Sequence, residues 1–466
     1  MGETFLDRHG IKSGIKLNDV IEDFKYVYKG QEVKAGDFVN YINGIASKTD
    51  YGESVDTAIS TQQNSGYIIS AVQLDENRVF IAHSYGSNYQ LYGIVCTING
   101  ATIAYGTDTE LSIDNGTGDV ISICLLPNGN VFVSYRNGLN YIRGMVCTIN
   151  GATITKGTDT VIVNAANVGI AFSVCLLSNG NVFIAHNYGS NHYLYGIVVN
   201  ISGTTITVGA DKSLVNSSYA GYKTSTCLLP NGNVFIAHSY GSDYYLYGIV
   251  VSIDGTTITK GSDTQLDNFD YSGQSISVEL LPNGNVFIAH KRLGEAYLYG
   301  MICTISGTTI AVSTNTQLGT ESAIGYYIAT QLLENGDVFI AHGHTANFYK
   351  LYGMIAKING TTITAGTDVE FSSVQYTGYA ISPVLLRNGT IFIAHSYTTN
   401  CLLNAQIFAI DNNMPTNNIV IPEYEQQVTP ATEPPFNAIS LSSGTGGTDT
   451  EHNEQVKIAR PNVEVI

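Results

Sequence analysis

The chain has 466 residues, 44% hydrophobic and 10% aromatic but only 13% charged, and its 21 basic against 38 acidic side chains give a formal charge of −17. That balance argues against a protein that neutralises nucleic-acid phosphates, and no run of 18 apolar residues is present to form a membrane-spanning helix. With 48 Gly, 31 Tyr and no Trp, the composition is that of a folded β-rich chain, because tyrosine suits pleated surfaces and glycine supplies turns.

The first twenty residues, MGETFLDRHGIKSGIKLNDV, contain no apolar core of a secretory signal, so synthesis and retention in the cytoplasm are expected. Residues 1–56 do not share the repeat that follows, and YKGQEVKAGDFVNYINGIAS carries a strand and turn pattern of its own. Within it, INGIASKTDYGESVDT resembles INGTTITAGTDVEFSS from Ile358, so Ile42-Asn43-Gly44 is an alternative start for an outer strand closing the repeat array.

From residue 57 to 424 the sequence is repetitive. The string VFIAH or a near copy places a phenylalanine at Phe80, Phe132, Phe183, Phe235, Phe287, Phe339 and Phe392, with spacings of 51 to 53 residues. In the unit that follows Tyr271, SISVELL is joined to NVFIAH by Pro282-Asn283-Gly284, and MICTI to TTIAV by Ser306-Gly307. Asn-Gly and Ser-Gly pairs mark hairpins because they accept positive φ, and two-residue turns are expected at both places. Four short strands per unit, in seven units, predict a seven-bladed β-propeller of four-stranded antiparallel blades.

In such a disc the short turns fall on one face. The loops between second and third strands, and the connections between blades, fall on the other. The long-loop face is the place to look for function. Its segments read HSYGSNYQLYG from His83, HNYGSNHYLYG from His186 and HSYGSDYYLYG from His238, with Gly-Tyr pairs at Gly66-Tyr67, Gly221-Tyr222, Gly325-Tyr326 and Gly378-Tyr379. Tyrosine offers rigid area at low entropic cost while Ser and Asn adapt their hydrogen bonds, and sugar rings suit such a surface. The candidate ligand-binding residues are therefore Tyr67, Tyr85, Tyr89, Tyr188, Tyr222, Tyr240, Tyr244, Tyr326, Tyr379 and Tyr397. The tyrosines of the recurring LYG (Tyr92, Tyr195, Tyr247, Tyr299, Tyr352) read as packing residues.

His83, His186, His238, His290, His342 and His395 recur at one position, with Tyr135 in the second unit. One histidine per blade is poor geometry for a single tetrahedral site, so these are expected to be structural hydrogen-bonders, with no metal and no cofactor. Asp108, Asp159, Asp211, Asp263 and Asp368, replaced once by Asn315, read as turn or capping residues. The seven cysteines are odd in number, widely spaced and without a C-x-x-C, and read as small buried hydrophobes.

After residue 424, IPEYEQQVTPATEPPFNAISL holds four prolines, and a Gly-Thr stretch then leads to a strand candidate at Gln455 to Ile458. Residues 1–56 and 425–466 together are expected to build one small β-rich domain, with the propeller inserted between them.

The pairing of KAGDFVNYINGIA with NAISLSSGTGGTDTEHNEQVKIARPN resembles small β modules of structural proteins from bacteriophages of Gram-positive hosts, and the repeats resemble those of tail-fibre proteins. The resemblance implies a virion structural protein, made in the host cytoplasm. Its terminal domain would attach to capsid, tail or baseplate proteins in many copies or as a homo-oligomer, and its propeller would face a host-surface glycan. A purely decorative protein without receptor binding is the alternative. The span 57–424 has only 12 Lys plus Arg, no Asp-box ending in Trp and no G-x-S-x-G, H-E-x-x-H or P-loop, so an enzyme, glycan hydrolases included, is disfavoured.

Overall fold

The computed structural model describes residues 56–408, apart from residues 101, 113–115, 118–119, 166, 293–296, 320–323, 346–347 and 388, and beyond them only the backbone of short strands near each end. The fold is all-β. Seven antiparallel sheets follow one another along the chain, and each begins with an inner strand: Ile69–Gln73, Ile121–Leu125, Phe172–Leu176, Thr224–Leu228, Ile276–Leu280, Ile324–Leu332 and Ile381–Leu385. These define blades one to seven.

Blade five shows the plan. Ile276–Leu280 pairs with Val286–Arg292, which pairs with Tyr297–Ser306. The outer position is shared by two short strands, Thr309–Val312 and Thr316–Gln317, each on one half of the long third strand. The break between them falls where the chain leaves the sheet in the Gly-x-Asp segment of other units, as at Gly261, whose N–H donates to Val250 O (2.9 Å) before Asp263.

Both predicted hairpins form, with differences in the turns. At the first, Gly129 N–H donates to Leu126 O (2.9 Å) and only the glycine is left-handed (φ 80°), so four residues rather than an Asn-Gly pair make the bend. At the second, Asn150 is still paired with Thr153 and the loop is Gly151-Ala152, with φ 61° at the glycine. A glycine in the first loop position is the type II′ arrangement, whose twist matches the flanking strands.

Period-two alternation explains the core. Along Arg78–Tyr85, Val79 and Ile81 face the cluster shared with blade seven, while Phe80 and Ala82 face the cluster shared with blade two. Each of the seven hydrophobic clusters lies between two neighbouring blades. All seven repeated phenylalanines are 0% exposed. Gly93, Gly144, Gly196, Gly248, Gly300 and Gly353 lie beside those rings, and a Cβ on Gly353 would meet Phe371 at 2.3 Å and Phe339 at 3.1 Å. Inner strands are also tied to one another: the Ser122 hydroxyl accepts from Val174 N–H (3.2 Å), Ser225 from Val278 N–H (3.2 Å) and Ser277 from Thr330 N–H (3.1 Å).

The ring closes with a strand from before the first blade. Thr57–Ser60 pairs with Leu402–Phe408, the third strand of blade seven, and Ile59 joins the cluster between blades seven and one. The Ser382 hydroxyl of blade seven accepts from Ala71 N–H of blade one (2.9 Å). Ile42-Asn43-Gly44 does not begin that closing strand, because Val39–Ile42 instead pairs back on Ile45–Lys48. Near the ends of the chain, Glu22–Phe24 pairs with Val456–Ala459, which pairs with Ile439–Ser440, and Glu32–Val33 pairs with Gly444–Thr445. Residues from both ends thus share sheets, as expected from the sequence.

The cysteines of the blades are free thiols, five buried and two half-buried, and burial pushes Cys96, Cys147 and Cys303 up to about 12. They are inert fillers at neutral pH.

Candidate functional site

The long-loop face is built from two segments per blade: the turn between second and third strands, and the connection that enters the inner strand. The connection entering blade four, 216–222, lies between two turns. Tyr219 N–H donates to Asn191 O (2.8 Å) and Gly221 N–H to His192 O (2.7 Å) in the blade-three turn, while Gly241 N–H of the blade-four turn donates to Ser218 O (2.9 Å). The same pattern recurs where the chain enters blade seven: Tyr376 N–H donates to Phe348 O (2.8 Å) and Gly378 N–H to Tyr349 O (2.6 Å).

A buried hydroxyl pins most of these connections. Thr377 accepts from Leu351 N–H (2.9 Å), Ser272 from Leu246 N–H (2.9 Å), Ser65 from Leu403 N–H (2.8 Å) and Thr117 from Leu91 N–H (3.0 Å). The following glycine is dictated by close approach. A Cβ on Gly221 would meet Asn187 Cα at 2.7 Å and Tyr193 O at 2.8 Å, and one on Gly378 would meet Lys350 O at 2.7 Å.

At the described blade boundaries these segments bring three residues together: the last turn residue of one blade, and the first and fourth residues of a four-residue stretch in the connection. At the boundary of blades three and four they are His192, Tyr219 and Tyr222, and at that of six and seven Tyr349, Tyr376 and Tyr379. Elsewhere the described residues of the set are Cys401, Asn64 and Tyr67; Tyr89 and Gly116; Asn140, Asn167 and Ile170; or Tyr244, Tyr271 and Gln274.

The backbone at the turn and first connection positions is left-handed, with φ 57–60° at Asn64 and Asn167 and 71° at Gly116, residue types that tolerate it. Tyr219, Tyr271 and Tyr376 adopt the same conformation (φ 62°, 61° and 65°), as do Tyr89, Tyr244 and Tyr349 in the turns (49°, 50° and 56°). A left-handed tyrosine costs on the order of 1 kcal/mol that asparagine or glycine largely avoids, and such strain concentrates at functional positions.

The rings gather into two groups. On blades six, seven and one, Tyr327 and Tyr379 lie 4.7 Å apart, Tyr379 and Tyr67 5.5 Å, Tyr67 and Tyr89 5.0 Å, and Tyr349 and Tyr379 5.8 Å between centroids. On blades three to five, Tyr222 and Tyr244 are 5.0 Å apart, Tyr219 and Tyr244 5.2 Å, and Tyr244 and Tyr271 5.8 Å. All these tyrosines are half-buried. Burial, followed by the hydrogen bond it donates to the neighbouring Tyr327, pushes the Tyr379 hydroxyl up to about 12, so the group is a set of neutral donors and acceptors.

Of the sequence candidates, Tyr67, Tyr89 and Tyr379 fall in the first group and Tyr222 and Tyr244 in the second. Tyr85, Tyr188 and Tyr240 lie elsewhere. Each stacks on the LYG tyrosine of its own blade, Tyr92, Tyr195 and Tyr247, at 3.9, 4.4 and 4.1 Å and within 22° of parallel. Tyr188 and Tyr240 also pack against interblade clusters. Tyr397 holds the matching position in blade seven, where Asn404 replaces the LYG tyrosine. The Tyr326 side chain lies outside the described residues. Tyr219, Tyr271, Tyr327, Tyr349, Tyr376 and His192 were not singled out from the sequence, although an aromatic two residues before the glycine-tyrosine pair, as in Y-x-G-Y, marks Tyr219 and Tyr376.

The repeated histidines join loops within their own blades. His83 Nε2 lies 2.9 Å from Asp108 Oδ1, His186 3.1 Å from Asp211, His342 3.0 Å from Asp368, and His290 2.8 Å from Asn315 Oδ1. In blade seven the partner of His395 is Asp56, at 3.3 Å, from the segment that closes the ring. Among the described residues no three His, Cys, Asp or Glu side chains cluster as metal ligands.

No protein-family model and no curated protein matches this sequence. Solved structures resemble the fold. A protein from Lactobacillus plantarum aligns over 74% of this chain and 95% of its own at 10% identity, with a TM-score of 0.54. The Aleuria aurantia lectin, described as a six-bladed propeller with a fucose recognition mode, covers 67% of this chain and 98% of its own at 14% identity and TM-score 0.43. The NanB sialidase of Streptococcus pneumoniae covers 75% and 69% at 13% identity and TM-score 0.43. Identities this low bear on the β-propeller fold alone, and both a lectin and an enzyme stand among these structures.

Proposed function

We propose that this protein is a non-enzymatic carbohydrate-binding propeller that grips sugar rings in the tyrosine slots of its long-loop face. The observation that carries the reading is the left-handed backbone of Tyr376 and Tyr219, held at positions where the connections into blades one, two and three keep Asn64, Gly116 and Asn167. The blades fold without tyrosine there, so the strain serves the surface rather than the scaffold. Pyranose faces stack on aromatic rings while phenol hydroxyls and nearby backbone groups satisfy sugar hydroxyls. Besides the phenols and His192, Lys223 lies against these rings, its ammonium 5.7 Å from the centroid of Tyr222, and burial pushes its pKa down.

A non-catalytic role is supported by the placement of the acidic group nearest neutral pH. Desolvation raises Glu279 to about 7, opposed by a hydrogen bond from Thr330, but it lies on the inner strand of blade five, with a hydroxyl beside it. Glycoside hydrolysis needs two carboxyl groups across one bond. Attachment to a virion through the terminal segments completes the proposal. It rests on the resemblance of those segments and of the repeats to phage structural proteins, and many copies on one particle would multiply weak affinities.

Binding of the full chain to a glycan array, beside a variant with Tyr219, Tyr222, Tyr376 and Tyr379 all changed to Ala, tests the reading. Saturable binding lost in the variant is the expected result; binding retained by the variant, or none by either protein, overturns it.

A further inference from the structure

Among the described residues, two blade boundaries carry an aromatic residue at all three positions, and two of their ring pairs agree in geometry. His192 and Tyr219 have centroids 5.5 Å apart with planes at 38°; Tyr349 and Tyr376 are 6.0 Å apart at 28°. His192 and Tyr222 meet edge-on at 5.7 Å and 69°, and Tyr349 and Tyr379 at 5.8 Å and 75°. Backbone φ matches pairwise as well, 53° and 62° at His192 and Tyr219 against 56° and 65° at Tyr349 and Tyr376. Two of the three ring pairs thus keep one relative orientation three blades apart, and in the first slot Tyr219 and Tyr222 also meet edge-on at 6.1 Å and 74°.

From this we infer that the propeller is bivalent, with two equivalent sugar sites at the boundaries of blades three and four and of blades six and seven, both opening on one face. The inference rests on the carbohydrate reading and deepens it. No ring contact joins the two sets among the described residues. On one side the sets are separated by the boundary residues Asn140, Asn167 and Ile170. The two slots therefore fill independently. Because both face the same way, one molecule engages two residues of a polysaccharide or two neighbouring chains, and the second contact forms at the high effective concentration that linkage confers.

The test uses the full chain labelled with 3-fluorotyrosine and titrated with methyl glycosides of glucose, galactose, mannose, fucose and N-acetylglucosamine, followed by fluorine NMR. Tyr219→Phe with Tyr222→Phe, and Tyr376→Phe with Tyr379→Phe, assign the resonances of each slot. One glycoside shifting both sets with two molecules bound per chain is expected. In that case Tyr222→Ala or Tyr379→Ala alone halves the stoichiometry, and binding to immobilised polysaccharide falls by about a hundredfold or more. Shifts confined to one set overturn bivalency and leave the carbohydrate reading standing. No shift in either set with any glycoside removes the basis of both.

Discussion

His238 Nε2 lies 2.9 Å from Asp263 Oδ1 while its Nδ1 lies 2.7 Å from Ser239 O, so one fully buried ring clamps the second strand of blade four to the segment between its two outer strands. Blade five makes the same clamp with Asn315, and in blade two Tyr135 takes the histidine's place beside Asp159, raised by burial and then by that carboxylate. The repeat conserves the clamp's geometry rather than one pair of side chains.

It follows that His238→Ala, which empties a buried site and strands Asp263, lowers stability by about 2–4 kcal/mol. Asp263→Asn, copying Asn315, costs under about 1.5 kcal/mol. Urea titrations of the two variants check the order; a larger loss in Asp263→Asn contradicts the clamp.

Glu279 gives the fold a pH dependence. Its folded value of about 7 is raised above the ordinary 4.5 by desolvation, so the native state binds the proton more tightly than the unfolded chain. The native state is therefore penalised increasingly from pH 4.5 to 7, by up to about 3 kcal/mol, and constantly above. Glu279→Gln stabilises the protein by about that amount at pH 8 and leaves it nearly unchanged at pH 4. Melting temperatures across this range decide, and a gain at pH 4 equal to that at pH 8 refutes the assignment.

Ring closure by Thr57–Ser60 predicts that a chain beginning at residue 61 is less stable than one beginning at residue 50 by at least about 3 kcal/mol, since Ile59, the strand pairing and the Asp56 partner of His395 are lost together. Equal denaturation midpoints for the two chains rule this closure out.

Gly378→Ala separates scaffold from site. Its Cβ would meet Gly343 Cα and Lys350 O at 2.7 Å, and the connection carrying Tyr376 and Tyr379 must move. Sugar affinity at that slot is expected to fall at least about tenfold, because displacing aligned rings by an ångström forfeits much of their contact. Gly336→Ala, strained at φ 84° on the opposite face, leaves affinity unchanged. Calorimetric titration of the two variants compares them.

The architecture was legible because its determinants are local and repeated: a fixed spacing of phenylalanines, a glycine at each turn and alternation within each strand. The site was legible in part. Tyr67, Tyr222 and Tyr379 stand out beside their glycines, but the need for left-handed backbone at Tyr219 and Tyr376 shows only when seven connections are superposed in space. Tyr85, Tyr188 and Tyr240 misled because they share a loop with candidate residues. The pleat decides their direction: His83 and Tyr85 lie on one face and Tyr92 pairs opposite His83, which brings the two tyrosine rings together. Closure by Thr57–Ser60 joins residues more than 340 apart, a distance no local pattern reports.

With no tryptophan in the chain, tyrosine emission is unmasked, and a titration of the full protein with the oligosaccharide selected by the array reads the slots directly. The account predicts a saturable change in emission that is abolished when Tyr219, Tyr222, Tyr376 and Tyr379 are replaced by Ala and retained when Tyr85, Tyr188 and Tyr240 are. A change that survives the first replacement and disappears with the second contradicts it.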